Sequence, residues 1–282
     1  MHIFVGIGPL KAYLKHQQSN HLTVGLVPTM GALHKGHLSL IQASKEKNDI
    51  TVCSIYVNPV QFNNPIDLEK YPRTLDTDIQ MLKDAGCDVA FCPDSSEMYR
   101  EGTKLKFEFG PLDKVLEGEF RPGHFSGVAL VVAKFFNIVR PQRAYFGQKD
   151  FQQFKVISRL VEELKFDLEL VCSPIVRESD GLAMSSRNAR LNMEDRERAI
   201  LLSQCLLEAR QKLLKGESMA TTKRMAFEKC ASYGVKIEYL ALADREDLTL
   251  LESVKNPANA ILLMAAYVGD VRLIDNIFLA EN

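Results

Sequence analysis

His34 and His37 lie beside Gly31 and Gly36, where an apolar run at 24–27 gives way to helical spacing from residue 38. Side chains three apart at a helix start share a face. The backbone N–H groups there have no helical partner and sit at the positive end of the helix dipole, so an anion gains hydrogen bonds and charge together. Glycine lets the main chain come close to that anion. An imidazole in the same place can donate to a phosphate whose charge grows in a transition state. Taken alone, the pair also fits two surface histidines or half of a zinc site, although no Cys or His follows at a spacing that completes a familiar local zinc pattern.

Three more stretches carry chemistry. Gly147-Gln148-Lys149-Asp150 follows a short strand and precedes a helix, and Lys149 is a mobile cation suited to phosphate. Residues 177–188 offer Ser185, Ser186 and Arg187 around a glycine turn without a helical apolar stripe; alone, they read first as a polar surface turn. Asn58-Pro59-Val60-Gln61 ends a strand, where Pro59 stops regular pairing.

The elements that must hold these residues alternate. Helices are expected at 8–17, 38–47, 75–85, 128–139 and 151–165, and strands at 22–27, 50–57, 89–92, 143–146 and 167–172. The strand at 50–57 is nearly all apolar or β-branched, as expected for one buried on both faces. Residues 63–72 are polar with two prolines and read as a loop of lid length, and 116–125 reads as irregular. The pattern is that of an α/β, Rossmann-like doubly wound parallel sheet, whose ligands bind outside the carboxyl ends of the strands. Both the histidine loop and the Asn58 turn fall at that edge. From residue 176 the composition changes: a long helix at 194–215, another at 219–233, a strand at 237–242 and a hairpin of 260–268 with 271–278 about Gly269-Asp270. The expected organisation is a first domain over 1–175 and a smaller C-terminal α+β domain over 176–282.

The 282 residues carry 46% hydrophobic and 25% charged residues, an ordinary globular balance, and a formal net charge of −1 gives no general pull toward nucleic acid or anionic membrane. Any anion site must be local. Six scattered cysteines without a Cys-x-x-Cys pair suit buried thiols in a reducing compartment. No export signal or membrane-length apolar run is evident, so a cytoplasmic location is expected.

These segments together resemble the pantothenate synthetases, or pantoate–β-alanine ligases, in six ordered blocks: 28–37, 58–62, 71–74, 121–125, 147–153 and 181–188. A lone His-x-Gly-His is shared with aminoacyl-tRNA synthetases and other nucleotidylyltransferases; six blocks are far more specific. The resemblance implies condensation of (R)-pantoate with β-alanine, driven by ATP through a pantoyl adenylate. It implies that Met30, Gly31, Ala32, Leu33, His34, Lys35, Gly36 and His37 line the ATP site, with His34, His37 and Lys149 as catalytic groups on the phosphates. The family's usual assignment makes His37 a proton donor; stabilisation of the charged α-phosphate fits at least as well, because a carboxylate attacks with little proton transfer.

Gly147, Gln148, Lys149 and Asp150 are likewise expected to bind ATP, Asp150 through a ribose hydroxyl. Val176 is expected at adenine, and Met184, Ser185, Ser186 and Arg187 over the nucleotide, with the C-terminal domain closing the ATP site. Gln61 and Gln153 would hold pantoate, with Asn58 and Arg121 as further substrate-binding residues. His124 reads as either structural or functional. Magnesium is expected mainly on the ATP phosphates, since no carboxylate cluster builds a protein cage. A homodimer follows from the resemblance. Gln148 stands where an acid is common in relatives, a change of charge beside Lys149. The rival readings are another nucleotidylyltransferase, which leaves the glutamines without a purpose, and a non-catalytic nucleotide-binding regulator.

Overall fold

The computed structural model describes residues 1–100 and 102–280. They form two compact units, Met1–Gly147 with Gln153–Pro174, and Gln148–Gln152 with Ile175–Asn282. A single cut near residue 175 does not express this division, because the turn carrying Lys149 groups with the second unit.

In the first unit, β1 (His2–Phe4), β2 (Val24–Thr29), β3 (Ile50–Ile55), β4 (Val89–Phe91), β5 (Arg143–Gly147) and β6 (Glu169–Ser173) make a parallel sheet in the order β1-β4-β3-β2-β5-β6. Helices α1 (Ile7–Ser19), α2 (Lys35–Lys45), α3 (Pro65–Glu69), α4 (Leu75–Asp84), α5 (Ser95–Met98), α6 (Glu117–Phe120), α7 (His124–Val139) and α8 (Phe151–Leu164) are threaded between and after the strands. The doubly wound parallel sheet is thus as expected. Successive strand residues divide between two cores, the period-2 geometry of a strand covered on both faces. Leu26, Val52 and Phe91 pack with Leu10 of α1 and Val128 and Phe135 of α7, whereas Val27, Cys53 and Ala90 pack with Ile41 of α2 and Leu82 of α4.

The chain winds from β2 toward β3 and β4 on one side, then returns to β5 and β6 on the other. The carboxyl ends of β2 and β5 therefore flank the switch point where open sheets bind ligands. Pro28 is tolerated in β2 because its ladder to β5 ends at Leu26, so its missing N–H breaks no bond on that side.

The second unit pairs α9 (Met193–Ala199), α10 (Leu201–Leu214) and α11 (Met219–Ser232) with β7 (Val235–Asp244), β8 (Leu250–Leu251), β9 (Ala260–Val268) and β10 (Val271–Phe278), an antiparallel sheet in the order β10-β9-β7-β8. Leu202, Leu206 and Cys230 of the helices close on Leu240, Leu262, Met264 and Leu273 of the sheet. The β9–β10 hairpin pairs Val268 with Val271 about the left-handed Gly269, at φ 55°.

Several local expectations are corrected. The 63–72 stretch is not all loop: Asn64 accepts the Ile66 N–H and Pro65 starts α3 with its fixed φ. The 116–125 stretch holds α6, and α7 begins at His124, a turn earlier than its apolar run, after a left-handed Gly123. The expected helix at 194–215 is two helices joined at Ile200, which keeps helical angles. β1 and β8 are too short for any periodicity to show.

All six cysteines are free thiols. Burial pushes the Cys87 thiol up to about 11 and Cys53 well above its ordinary value. Both therefore hold little thiolate at neutral pH, and the thiolate is the nucleophile. Iodoacetamide at neutral pH is expected to spare Cys53 and Cys87 in the native protein and label both after denaturation, read by peptide mass spectrometry. Rapid native labelling would contradict the packing. Among the described residues, no helix is long and apolar enough to cross a membrane.

Candidate active site

At the carboxyl end of β2 the chain turns through Gly31 and Ala32, both left-handed (φ 79° and 47°), before α2 begins. A Cβ on Gly31 would lie 3.0 Å from Asp78 Oδ2 and 3.1 Å from Ile55 Cγ2, so glycine answers both the conformation and the space. Asp78, on α4 and 1% exposed, grips this turn: Ala32 N–H donates to Oδ2 at 2.9 Å and Leu33 N–H to Oδ1 at 2.8 Å. The Thr74 hydroxyl donates to Oδ1 at 3.2 Å. Sequence reading missed Asp78, since an acid in the first turn of a helix reads as an exposed dipole partner.

The two histidines cap α2 reciprocally. His34 Nδ1 accepts the Gly36 N–H at 3.2 Å, and His37 Nδ1 accepts the His34 N–H at 3.3 Å. In each neutral ring the proton is then assigned to Nε2, the tautomer able to donate away from the backbone. The ring centroids are 4.0 Å apart, so the two imidazoles present a joint surface at the N-terminus of an 11-residue helix. Lys35 opens that helix and is exposed. Met30 and Leu33 sit on the β2 side, Leu33 buried in the core and Met30 half-buried.

The Asn58 turn is fixed from three directions. Asn58, 1% exposed, donates through Nδ2 to Gln61 Oε1 at 3.0 Å and to Gly127 O at 3.1 Å, and accepts from the Tyr99 hydroxyl at 3.0 Å. With its oxygen taken by Asn58, Gln61 turns Nε2 toward Met30 Sδ, 3.1 Å away and a weak acceptor. His124 Nδ1 lies 2.8 Å from Gln61 O, which makes it a main-chain brace. A Cβ on Gly127 would sit 2.6 Å from Val60 O and 2.7 Å from Gln61 Cα. Gly127→Ala is therefore expected to push α7 and the Gln61 turn apart, cutting activity more than tenfold while the far-ultraviolet spectrum stays native; an active variant would show that this approach is not needed. Arg121, just past α6, pairs with Glu117 at 3.5 Å, one helical turn back. Gln153 lies half-buried on the first turn of α8.

The remaining candidates belong to the second unit, apart from Gly147, which ends β5. Gln148, Lys149 and Asp150 form a 3-10 turn, with Lys149 Nζ 3.6 Å from Asp150 Oδ2. Val176 O accepts the Met184 N–H at 3.0 Å, and Glu178 N–H donates to Leu182 O at 2.8 Å, folding 176–184 into a tight ribbon. Ser185 caps the turn holding Ser186 and Arg187 by accepting the Arg187 N–H at 3.2 Å. Arg196 locks the ribbon's acids, meeting Glu178 at 2.8 Å and Asp180 at 2.7 Å. The 177–188 segment is thus a built structure.

A family model described as pantoate-beta-alanine ligase matches residues 2–278. The pantothenate synthetase of Bacteroides fragilis is 46% identical over 282 residues, covering 100% of both chains. The crystal structure of pantothenate synthetase from Thermus thermophilus superposes with a TM-score of 0.92 at 41% identity, covering 100% of both chains. That of pantoate-beta-alanine ligase from Francisella tularensis, complexed with beta-gamma ATP and beta-alanine, superposes with a TM-score of 0.84 at 35% identity, covering 99% of this chain and 98% of that one.

Proposed function

The chain belongs to the pantoate–β-alanine ligase family, and from that premise we propose how its residues carry the reaction, an ATP-driven condensation of (R)-pantoate with β-alanine to pantothenate, AMP and pyrophosphate. Pantoate's carboxylate oxygen attacks the α-phosphorus, the bond to pyrophosphate breaks, and a pantoyl adenylate forms. The β-alanine amine then attacks its acyl carbon, loses a proton and expels AMP. The first step turns a poor leaving group into a good one.

The observation that carries this reading is the reciprocal cap of α2. It turns both Nδ1 atoms to the main chain at the start of α2, so that the two Nε2–H groups serve as the donors to phosphate oxygens on which charge rises. His37 and His34 act there as neutral donors, and the main chain from Met30 to Gly36 approaches the triphosphate. Gln61 offers Nε2 to pantoate because Asn58 holds its oxygen, so Asn58 serves substrate through Gln61. Gln153 supplies the second amide. Lys149 takes phosphate charge, as do Ser185, Ser186 and Arg187; Asp150 takes a ribose hydroxyl and Val176 the adenine. Arg121 fixes the 117–121 turn beside the substrate.

ATP would bring magnesium on its phosphates, where the ion would lower their charge. The mostly exposed 63–72 segment with α3 covers the adenylate against water. A cytoplasmic homodimer completes the reading, supported by the family resemblance.

The decisive experiment is pyrophosphate exchange into ATP with magnesium and (R)-pantoate, β-alanine omitted. Exchange that requires pantoate, and that Gln153→Ala lowers with a raised pantoate KM, is expected. Absence of exchange in folded, ATP-binding protein would overturn the adenylate route and favour a nucleotide-binding regulator.

A further inference from the structure

Asn276, on β10 and 2% exposed, commits its whole carboxamide to the turn that carries Lys149. Its Nδ2 donates to Gln148 O at 3.0 Å and to Lys149 O at 2.9 Å, while its Oδ1 accepts from Gln148 Nε2 at 3.1 Å. All of these groups lie in the second unit. Three bonds of this polarity permit one orientation of the amide: reversed, its oxygen would face two carbonyl oxygens. The main chain at 276 is itself anchored, since its N–H donates to Asp275 Oδ1 at 2.7 Å and Asp275, 3% exposed, pairs with Arg177 through both oxygens at 2.7 and 2.9 Å. The 148–149 backbone is thereby fastened to the antiparallel sheet.

We propose that Asn276 is a positioning residue for Lys149, with the Gln148 side chain turned to the sheet in the same contact. The inference rests on the reading that Lys149 takes phosphate charge. A lysine reaches through four flexible carbons, so its grip on a phosphate depends on where its Cα is held. Loss of the two carbonyl bonds frees that Cα.

The test is a double-mutant cycle on pantoate-dependent pyrophosphate exchange with Asn276→Ala, Lys149→Ala and the double variant. Asn276→Ala is expected to lower kcat/KM for ATP by about 10- to 100-fold and leave the pantoate KM within about twofold. The double variant should be no worse than Lys149→Ala alone, because both remove the same interaction. Asn276→Asp, whose carboxylate cannot donate to the two carbonyls, should reproduce Asn276→Ala. Losses that multiply in the double variant, a pantoate KM raised in step with that of ATP, or an Asn276→Ala as active as the parent would each overturn the proposal. An unimpaired Lys149→Ala would instead overturn the phosphate role of the lysine. Should Asn276→Ala fail to fold, Asn276→Asp with Lys149→Ala supplies the same cycle.

Discussion

Replacing His37 with alanine is expected to lower pantoate-dependent pyrophosphate exchange by about 10²- to 10³-fold, the usual cost of removing one donor aimed at developing charge. Two losses combine. The variant removes the Nε2–H donor, and it frees the His34 N–H from the acceptor that orders the start of α2. His37→Gln separates electrostatic stabilisation from proton donation. A glutamine amide keeps an N–H donor and an acceptor but cannot deliver a proton, so partial recovery over alanine supports stabilisation. Equal inactivity of the two variants, with native folding, would favour proton donation. Measuring ATP affinity for both variants fixes where the effect falls: an unchanged Kd with a reduced kcat is the signature of an interaction made in the transition state.

Asp78→Asn is expected to cost about 2–3 kcal/mol in denaturant unfolding, because an amide presents N–H to one of two main-chain N–H groups that now donate to carboxylate oxygens. Those bonds also hold Ala32 at a φ of 47°, a conformation that a side chain with a Cβ adopts at some strain. Released, the turn relaxes and carries the α2 N-terminus with it. Exchange activity should fall along with stability, and Asp78→Ala should behave similarly. If Asp78→Asn unfolds at the parent's midpoint and keeps its ATP KM, the turn is held by its own residues and the role given to Asp78 is wrong.

The sequence by itself determined the parallel sheet and placed the ends of β2 to β6 within two residues. Leu26, Val27, Val52 and Cys53 are apolar on both strand faces, which only a sheet covered on two sides can bury. It also determined the turn between β2 and α2, since Gly31, His34, Gly36 and His37 are local in the chain and their spacing meaningful without the rest. Local too was the hairpin at Gly269-Asp270. What failed locally failed for stated reasons: β1 spans three residues, and α3 and α6 arise from capping and turn geometry with no apolar stripe to reveal them.

Only the tertiary structure decided which polar residues serve the site through others. Asp78 is 45 residues or more from the N–H groups it accepts, Gly127 is 69 from Asn58, and Asn276 is 127 from Lys149. A carboxylate, a carboxamide or a missing side chain has no periodicity of its own. Its meaning comes from burial, which makes an unpaired polar group costly and so fixes its partners, and burial is a property of the packed chain.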